Sequence, residues 1–223
     1  MTANSEGASS SSLARAQVYE FLAAAFHGGI SKEFLARIAS PEFIGEIREN
    51  LGECDALKQL TEFSKKYEGD PEPHRLEYNS LFHVPGGKYL SPYESVYRDG
   101  KQKEDGVAAD GILMGPSTLS VLNFYEKSGA KLPPDYTEMP DHIAAELEFM
   151  RFLCETEAQA LDEGKEDVAA DYAEVQRRFL EEHLTRWMPD LFERLRKHTK
   201  SGLWLGLAGI CQQFCESDLE ELG

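Results

Sequence analysis

Apolar residues along this chain recur at three- and four-residue spacing, and alternation with a period of two is nowhere sustained. That spacing places them on one face of an α-helix, so the reading is all-α. Residues 13–27 carry Val18, Phe21, Leu22, Ala25 and Phe26 on one broad side, with Gly28 and Gly29 as a stop. Ser40-Pro41-Glu42 reads as a helix start, serine capping and proline in the first turn. After Asp55 come Leu57, Leu60, Phe63 and Tyr67, ending at Gly69, and a helix through 77–82 stops before Pro85-Gly86-Gly87. The pattern resumes from Pro116 to Lys127 and again over 166–184, where Val168, Tyr172, Val175 and Phe179 share a face. It ends with a break before Pro189, a short piece over 190–198, and a last helix over 202–216 carrying Leu203, Leu207, Ile210 and Phe214.

Two connectors interrupt this pattern. Residues 84–115 hold many glycines and prolines without a helical period, and a segment of that length is usually functional or disordered. Its aromatics, Tyr89, Tyr93 and Tyr97, favour a loop packed on the body. The second connector, 131–139, contains Pro133-Pro134. The expected architecture is one helical-bundle-like domain with a long irregular central loop. A polar tail over 1–12 is expected to be disordered, and 217–223 forms an acidic C-terminal tail.

The stretch Met139 to Met150 raises the question of chemistry. At about 100° per residue, His142, Glu146, Phe149 and Leu153 form one stripe beside Ile143, Leu147, Met150 and Cys154. A carboxylate on a face that should be buried is costly unless it is paired or meets a ligand, which makes this stripe a site candidate.

The net charge of −17 disfavours nucleic acid and anionic membrane surfaces as partners; it suits cationic partners, or serves solubility alone. The first residues lack a basic start and an apolar run, and the apolar stretch Leu203–Ile210 is too short to span a bilayer, so a cytoplasmic protein without stable membrane insertion is expected. The four cysteines form no CxxC and read as free thiols. None of the six histidines has a glutamate three residues before it, and His142 with Glu138 or Glu146 supplies only two ligands, so no metal is expected. GxSxG, GxxxxGK[ST] and GxGxxG are all absent, and no cofactor or catalytic residue is expected. What remains is a binding protein, with an apolar groove and an acidic rim suited to a peptide basic at one end and apolar further along.

Three segments carry a family likeness. They are Glu77-Tyr78-Asn79-Ser80-Leu81-Phe82 with Ser91-Pro92-Tyr93-Glu94-Ser95-Val96-Tyr97; Met139-Pro140-Asp141-His142 with Glu146 to Met150; and His183-Leu184 with Trp187-Met188-Pro189. In their order and spacing the chain resembles the TorD/DmsD/NarJ group of cytoplasmic chaperones for molybdenum enzymes, from about residue 13 to 216. The resemblance implies two helical halves, about 13–129 and 140–216, joined by a hinge over 130–139. It implies no enzyme activity, but binding of the twin-arginine leader of a molybdoenzyme catalytic subunit, or of the apo subunit itself, until cofactor is inserted. Leader binding in the family maps to Tyr78, Leu81, Phe82, Pro92, Tyr93, Ser95, Tyr97, Asp141 and His142. These aromatics are tyrosines where some relatives carry tryptophan.

Planar arginine forks suit carboxylates, and Glu94, Asp141 and Glu146 are the candidates for them. Blander roles stand beside these: Leu81 and Phe82 as core, Asp141 as a helix N-terminal charge, His142 and Glu146 satisfying each other, Trp187 and Pro189 closing the last helices. An alternative reading is a helical enzyme or nucleotide-dependent factor using His142 and Glu146. Another is an assembly scaffold that recognises a folded subunit through its acidic surface. Monomer and homodimer are both open, and the residues do not name the client.

Overall fold

Serine caps set the first turns. Ser31 Oγ accepts from Phe34 N–H at 3.0 Å and Ser40 Oγ from Phe43 N–H at 3.1 Å, each typically worth about 1 kcal/mol. The computed structural model describes residues 3–102, 108–109, 113–134 and 136–223. Its helices are α1 (Ala3–Phe26), α2 (Lys32–Ala39), α3 (Pro41–Leu51), α4 (Asp55–Lys66), α5 (Glu72–Tyr78), α6 (Glu94–Arg98), α7 (Pro116–Lys127), α8 (Ile143–Asp162), α9 (Glu166–Phe179), α10 (Thr185–His198) and α11 (Gly202–Leu222). A π-helical segment, Asn79–His83, extends α5, and another, Leu180–Leu184, joins α9 to α10. Among the described residues the strand content is one short antiparallel pair, Lys101–Gln102 with Ala108–Ala109. The chain is all-α otherwise.

Two compact units divide it, both discontinuous in sequence. The first is Met1–Ala24, Tyr93–Met188 and Cys215–Gly223; the second is Ala25–Pro92 and Pro189–Phe214. Several expectations change here. The 130–139 connector lies inside the first unit and divides nothing. Residues 3–12 belong to α1, because Ser9, Ser12, Ala16, Tyr19 and Ala23 continue one buried stripe whose small polar members gave no hydrophobic signal. At the other end α11 runs through the expected acidic tail to Leu222. The irregular segment holds the short helix α6. Pro189 does not break α10: it sits in the fifth position of that helix, and the looser π winding just before it takes up the irregularity.

Within the first unit, Arg15 of α1 holds the helices together. Its guanidinium meets Asp218 at 2.6 Å, Glu157 at 3.4 Å and the Gln176 carbonyl, while Tyr19 Oη donates to Asp218 at 2.5 Å. Asp218 is thereby buried and α1, α8, α9 and α11 are joined. Phe149 of α8 packs edge-on to Phe179 of α9 at 4.8 Å and against Tyr125 of α7 at 4.6 Å. The second unit centres on Phe26, Phe82, Phe192 and Trp204, with Phe26 and Phe192 stacked at 5.6 Å. There α11 approaches α4 closely through glycines. A Cβ on Gly202 would lie 2.5 Å from Gln59 O, and one on Gly209 2.7 Å from Ala56 Cβ.

Candidate functional site

Helix α6 is too short to hold its own N-terminus, and Tyr93, the residue before it, offers no capping oxygen. Asp141, just before α8, supplies the cap, its Oδ2 accepting from Ser95 N–H at 2.9 Å. The backbone of the two segments is paired as well: Glu94 N–H donates to Asp141 O at 2.9 Å, and Tyr93 and His142 form an isolated antiparallel bridge. Their rings meet edge-on at 5.2 Å, and Tyr93 Oη donates to Glu138. His142 in turn caps α8, its Nδ1 accepting from Ala144 N–H at 3.1 Å, which leaves the ring proton on Nε2. Thus the Pro-Tyr-Glu-Ser-Val-Tyr motif and the Pro-Asp-His motif form one structure, joined by backbone and by a cap.

Below this junction lies a buried polar cluster. Glu94, Ser95, Asp141 and Glu146 are 0% exposed, and His183 is 1% exposed. Glu94 is held on two sides: Arg98 one turn later bonds its Oε1, and His183 Nδ1 lies 2.7 Å from its Oε2. On the other side of the ring His183 Nε2 lies 3.1 Å from Ser120 Oγ. The imidazole is stacked on Phe179 at 4.9 Å. Arg98, Ser120, His183 and Arg186 border an open cleft of about 470 Å³.

Glu146 behaves differently. Its Oε2 accepts from Trp187 Nε1 at 3.1 Å, and Trp187 lies against Tyr97 at 5.4 Å. Burial first and the adjacent Glu94 carboxylate second push the Glu146 carboxyl well above the usual carboxylate range. Its other oxygen, Oε1, is buried without a hydrogen-bond partner. Tyr125, whose hydroxyl donates to Pro140 O at 2.9 Å, is raised above the usual phenol range by burial first and by Glu146 second. Asp141 Oδ1 and Ser95 Oγ, also buried, have no hydrogen-bond partner.

The structure therefore gathers Tyr93, Glu94, Ser95, Tyr97, Asp141, His142 and Glu146 into one cluster of the first unit. The open acidic rim expected from Glu94, Asp141 and Glu146 is not there, because capping Ser95 and pairing with Arg98, His183 and Trp187 draw all three inside. Tyr78, Leu81, Phe82 and Pro92 belong to the second unit. Leu81 and Phe82 are core, Phe82 lying 5.4 Å from Trp204, and Pro92 is buried. Half-buried Tyr78 donates to Phe26 O at 3.1 Å and packs beside Gly28, whose φ of 95° and lack of a side chain leave room for its ring. Sequence reasoning missed Arg98, Ser120, His183 and Trp187 as members of the cluster. The signal was present: a carboxylate on a buried stripe needs a donor, and His183 and Trp187 lie one turn apart on the face that also carries Leu180, Leu184 and Leu191.

Among the described residues no group of three or more His, Cys, Asp or Glu is arranged to hold a metal ion, and no helix is long and apolar enough to cross a membrane. A family model described as nitrate reductase delta subunit matches residues 46–193. The chain is 36% identical over 147 residues to the chlorate reductase assembly chaperone protein of Ideonella dechloratans, covering 64% of this chain and 68% of that one. It is 38% identical over 125 residues to the selenate reductase assembly chaperone protein of Thauera selenatis, covering 56% of this chain and 58% of that relative. It is 25% identical over 218 residues to the chaperone protein TorD of Vibrio cholerae, spanning 93% of both chains.

Proposed function

The chain belongs to the nitrate reductase delta subunit family, the TorD/NarJ group of maturation proteins, and from that premise we propose that it is a cytoplasmic chaperone for the catalytic subunit of a molybdenum oxidoreductase. It binds the twin-arginine leader of that subunit, or the apo subunit itself, while cofactor is inserted, and catalyses no reaction of its own. The observation that carries this reading is the junction at Asp141. One carboxylate caps the Pro-Tyr motif, presents a second oxygen with no protein partner, and lies among Glu94 and Glu146. Buried carboxyl oxygens without a partner suit the planar donor fork of arginine. Tyr93, which is half-buried, and Tyr97 flank it with aromatic surface.

The test is a fluorescently labelled twin-arginine peptide, titrated with wild type and with the Asp141→Ala and Tyr93→Ala variants. Both substitutions are expected to weaken binding at least tenfold while the far-ultraviolet circular dichroism stays helical. Wild-type affinity in both variants would remove Asp141 and Tyr93 from the site, and no binding by the wild type would remove leader recognition.

A further inference from the structure

We propose that the groove between α7 and α9 is a second docking site, which takes an amphipathic helix bearing acidic residues from a partner protein. The groove lies in the first unit, shares no residue with the Asp141 junction, and is independent of leader recognition.

The apolar stripe of α9 is only partly covered. Val168, Tyr172, Val175 and Phe179 share one face of this helix, yet Phe179 alone is fully buried. Val168 is 40% exposed, and Tyr172 and Val175 are half-buried. Alongside, α7 runs in the opposite direction: Ser120 meets His183, and Phe124 lies 5.3 Å from Phe179. The two helices leave an open groove of about 370 Å³, walled by the Phe124 ring, Tyr172 and the two valines. A water molecule takes about 30 Å³, so this space suits side chains. Val168, Tyr172 and Val175 stand at i, i+4 and i+7, which is about 10 Å of helix. That is the spacing at which an amphipathic helix anchors in a groove. Leu119, one turn before Asn123 on α7, is 66% exposed and extends the apolar surface.

Charge selects the occupant. The chain carries 40 acidic and 23 basic residues, so most of its surface favours cationic partners. The groove departs from that balance, its lining holding Lys127 and Arg178 against Asp171 alone. Arg178 lies over the Phe124 ring at 5.4 Å and pairs with Glu182 at 2.8 Å. That pair is solvent-exposed, a kind that contributes little and rearranges readily. Lys127 has no ion pair among the described residues. A carboxylate in the occupant therefore gains a cation without breaking a buried bond, whereas the arginines of a leader would meet like charges. A helix with apolar residues on one face and glutamates beside them satisfies both the stripe and the cations.

The probe is a fluorescein-labelled synthetic helix with leucines at i, i+3, i+4 and i+7 and glutamates flanking them. It is titrated into the full-length protein by anisotropy, beside a peptide in which every glutamate is lysine. On net charge alone the lysine peptide would bind this acidic chain better. The groove reverses that order, and the glutamate peptide should bind at least tenfold tighter. Val168→Glu and Lys127→Glu, both at exposed positions and checked for helicity, should each weaken it at least tenfold. Asp141→Ala, which removes the leader site, should leave its affinity unchanged. Tighter binding of the lysine peptide, or no binding of either, overturns the proposal and leaves leader recognition standing. Wild-type affinity for the glutamate peptide in both groove variants overturns it as well. So does a dimer of the protein alone, seen by sedimentation equilibrium and dissociated by Val168→Glu, which would assign the groove to a second copy.

Discussion

Replacing Glu146 by glutamine tests the protonation state on which the site's electrostatics depend. In the folded protein burial and Glu94 hold the carboxyl well above its ordinary value, whereas in the unfolded chain it titrates near 4.3. Between those two values the native state binds one proton more than the unfolded state. Stability therefore falls as pH rises, by up to about 1.4 kcal/mol per pH unit, and the loss stops above the folded value. Glutamine keeps the shape and an oxygen for Trp187 Nε1, and removes the titrating group beside Glu94. The variant lacks this titration, so its stability relative to wild type should rise by up to about 3 kcal/mol between pH 5 and pH 7. For a chain of 223 residues that corresponds to roughly 5–10 °C in Tm. Urea unfolding followed at 222 nm, for both proteins at pH 5, 6, 7 and 8, measures the difference while cancelling every other titrating group. Parallel profiles would show that Glu146 is ionised in the fold, and would refute the assignment.

Other parts of the structure make separate predictions. Arg15→Ala leaves Asp218 buried, and Glu157 half-buried, without their cation and should cost about 3–5 kcal/mol, read by urea denaturation. Gly206→Ala drives a methyl into Leu60 and to 3.2 Å from Ala56 O, so a loss of about 1–3 kcal/mol is expected in the same assay. Asp141→Asn keeps an oxygen for Ser95 N–H and should leave Tm nearly unchanged, whereas Asp141→Ala should lose about 0.5–2 kcal/mol with the cap. Of the four thiols, three are buried and Cys154 is pushed up to about 12 by burial, so native-state labelling at pH 8 should be rapid at Cys54 alone, as counted by mass spectrometry.

Helices with large apolar residues on one face were legible in the sequence, and α7 begins and ends where Pro116 and Lys127 indicate. The first turns of α1 were not, since Ser9 and Ser12 lie on the buried stripe by virtue of small size. Nor was the C-terminal end of α11, where Asp218 is held inside by an arginine some 200 positions earlier. The same limit governed the site. Periodicity placed Glu146 on a buried face and left it needing a partner; only the fold shows that the partners are Trp187 and Glu94. Asp141 was read both as a helix N-terminal charge and as a ligand group, and in the fold it caps α6, a helix 46 positions away by the Ser95 contact. Local spacing carries no information about pairing across such distances, which is why Arg98, Ser120 and His183 escaped notice. The discontinuous units escaped for a related reason: α1, α10 and α11 each contain a division point with no change of composition to mark it.

Chaperone function itself is tested most directly by purifying the tagged protein gently from its native cytoplasm and identifying its companions by mass spectrometry, quantified against an Asp141→Ala control. A molybdenum-enzyme catalytic subunit should accompany the wild type in near-stoichiometric amount and be depleted from the variant. Recovery of the wild-type chain without any such subunit, under conditions where the subunit is being made, would contradict the account.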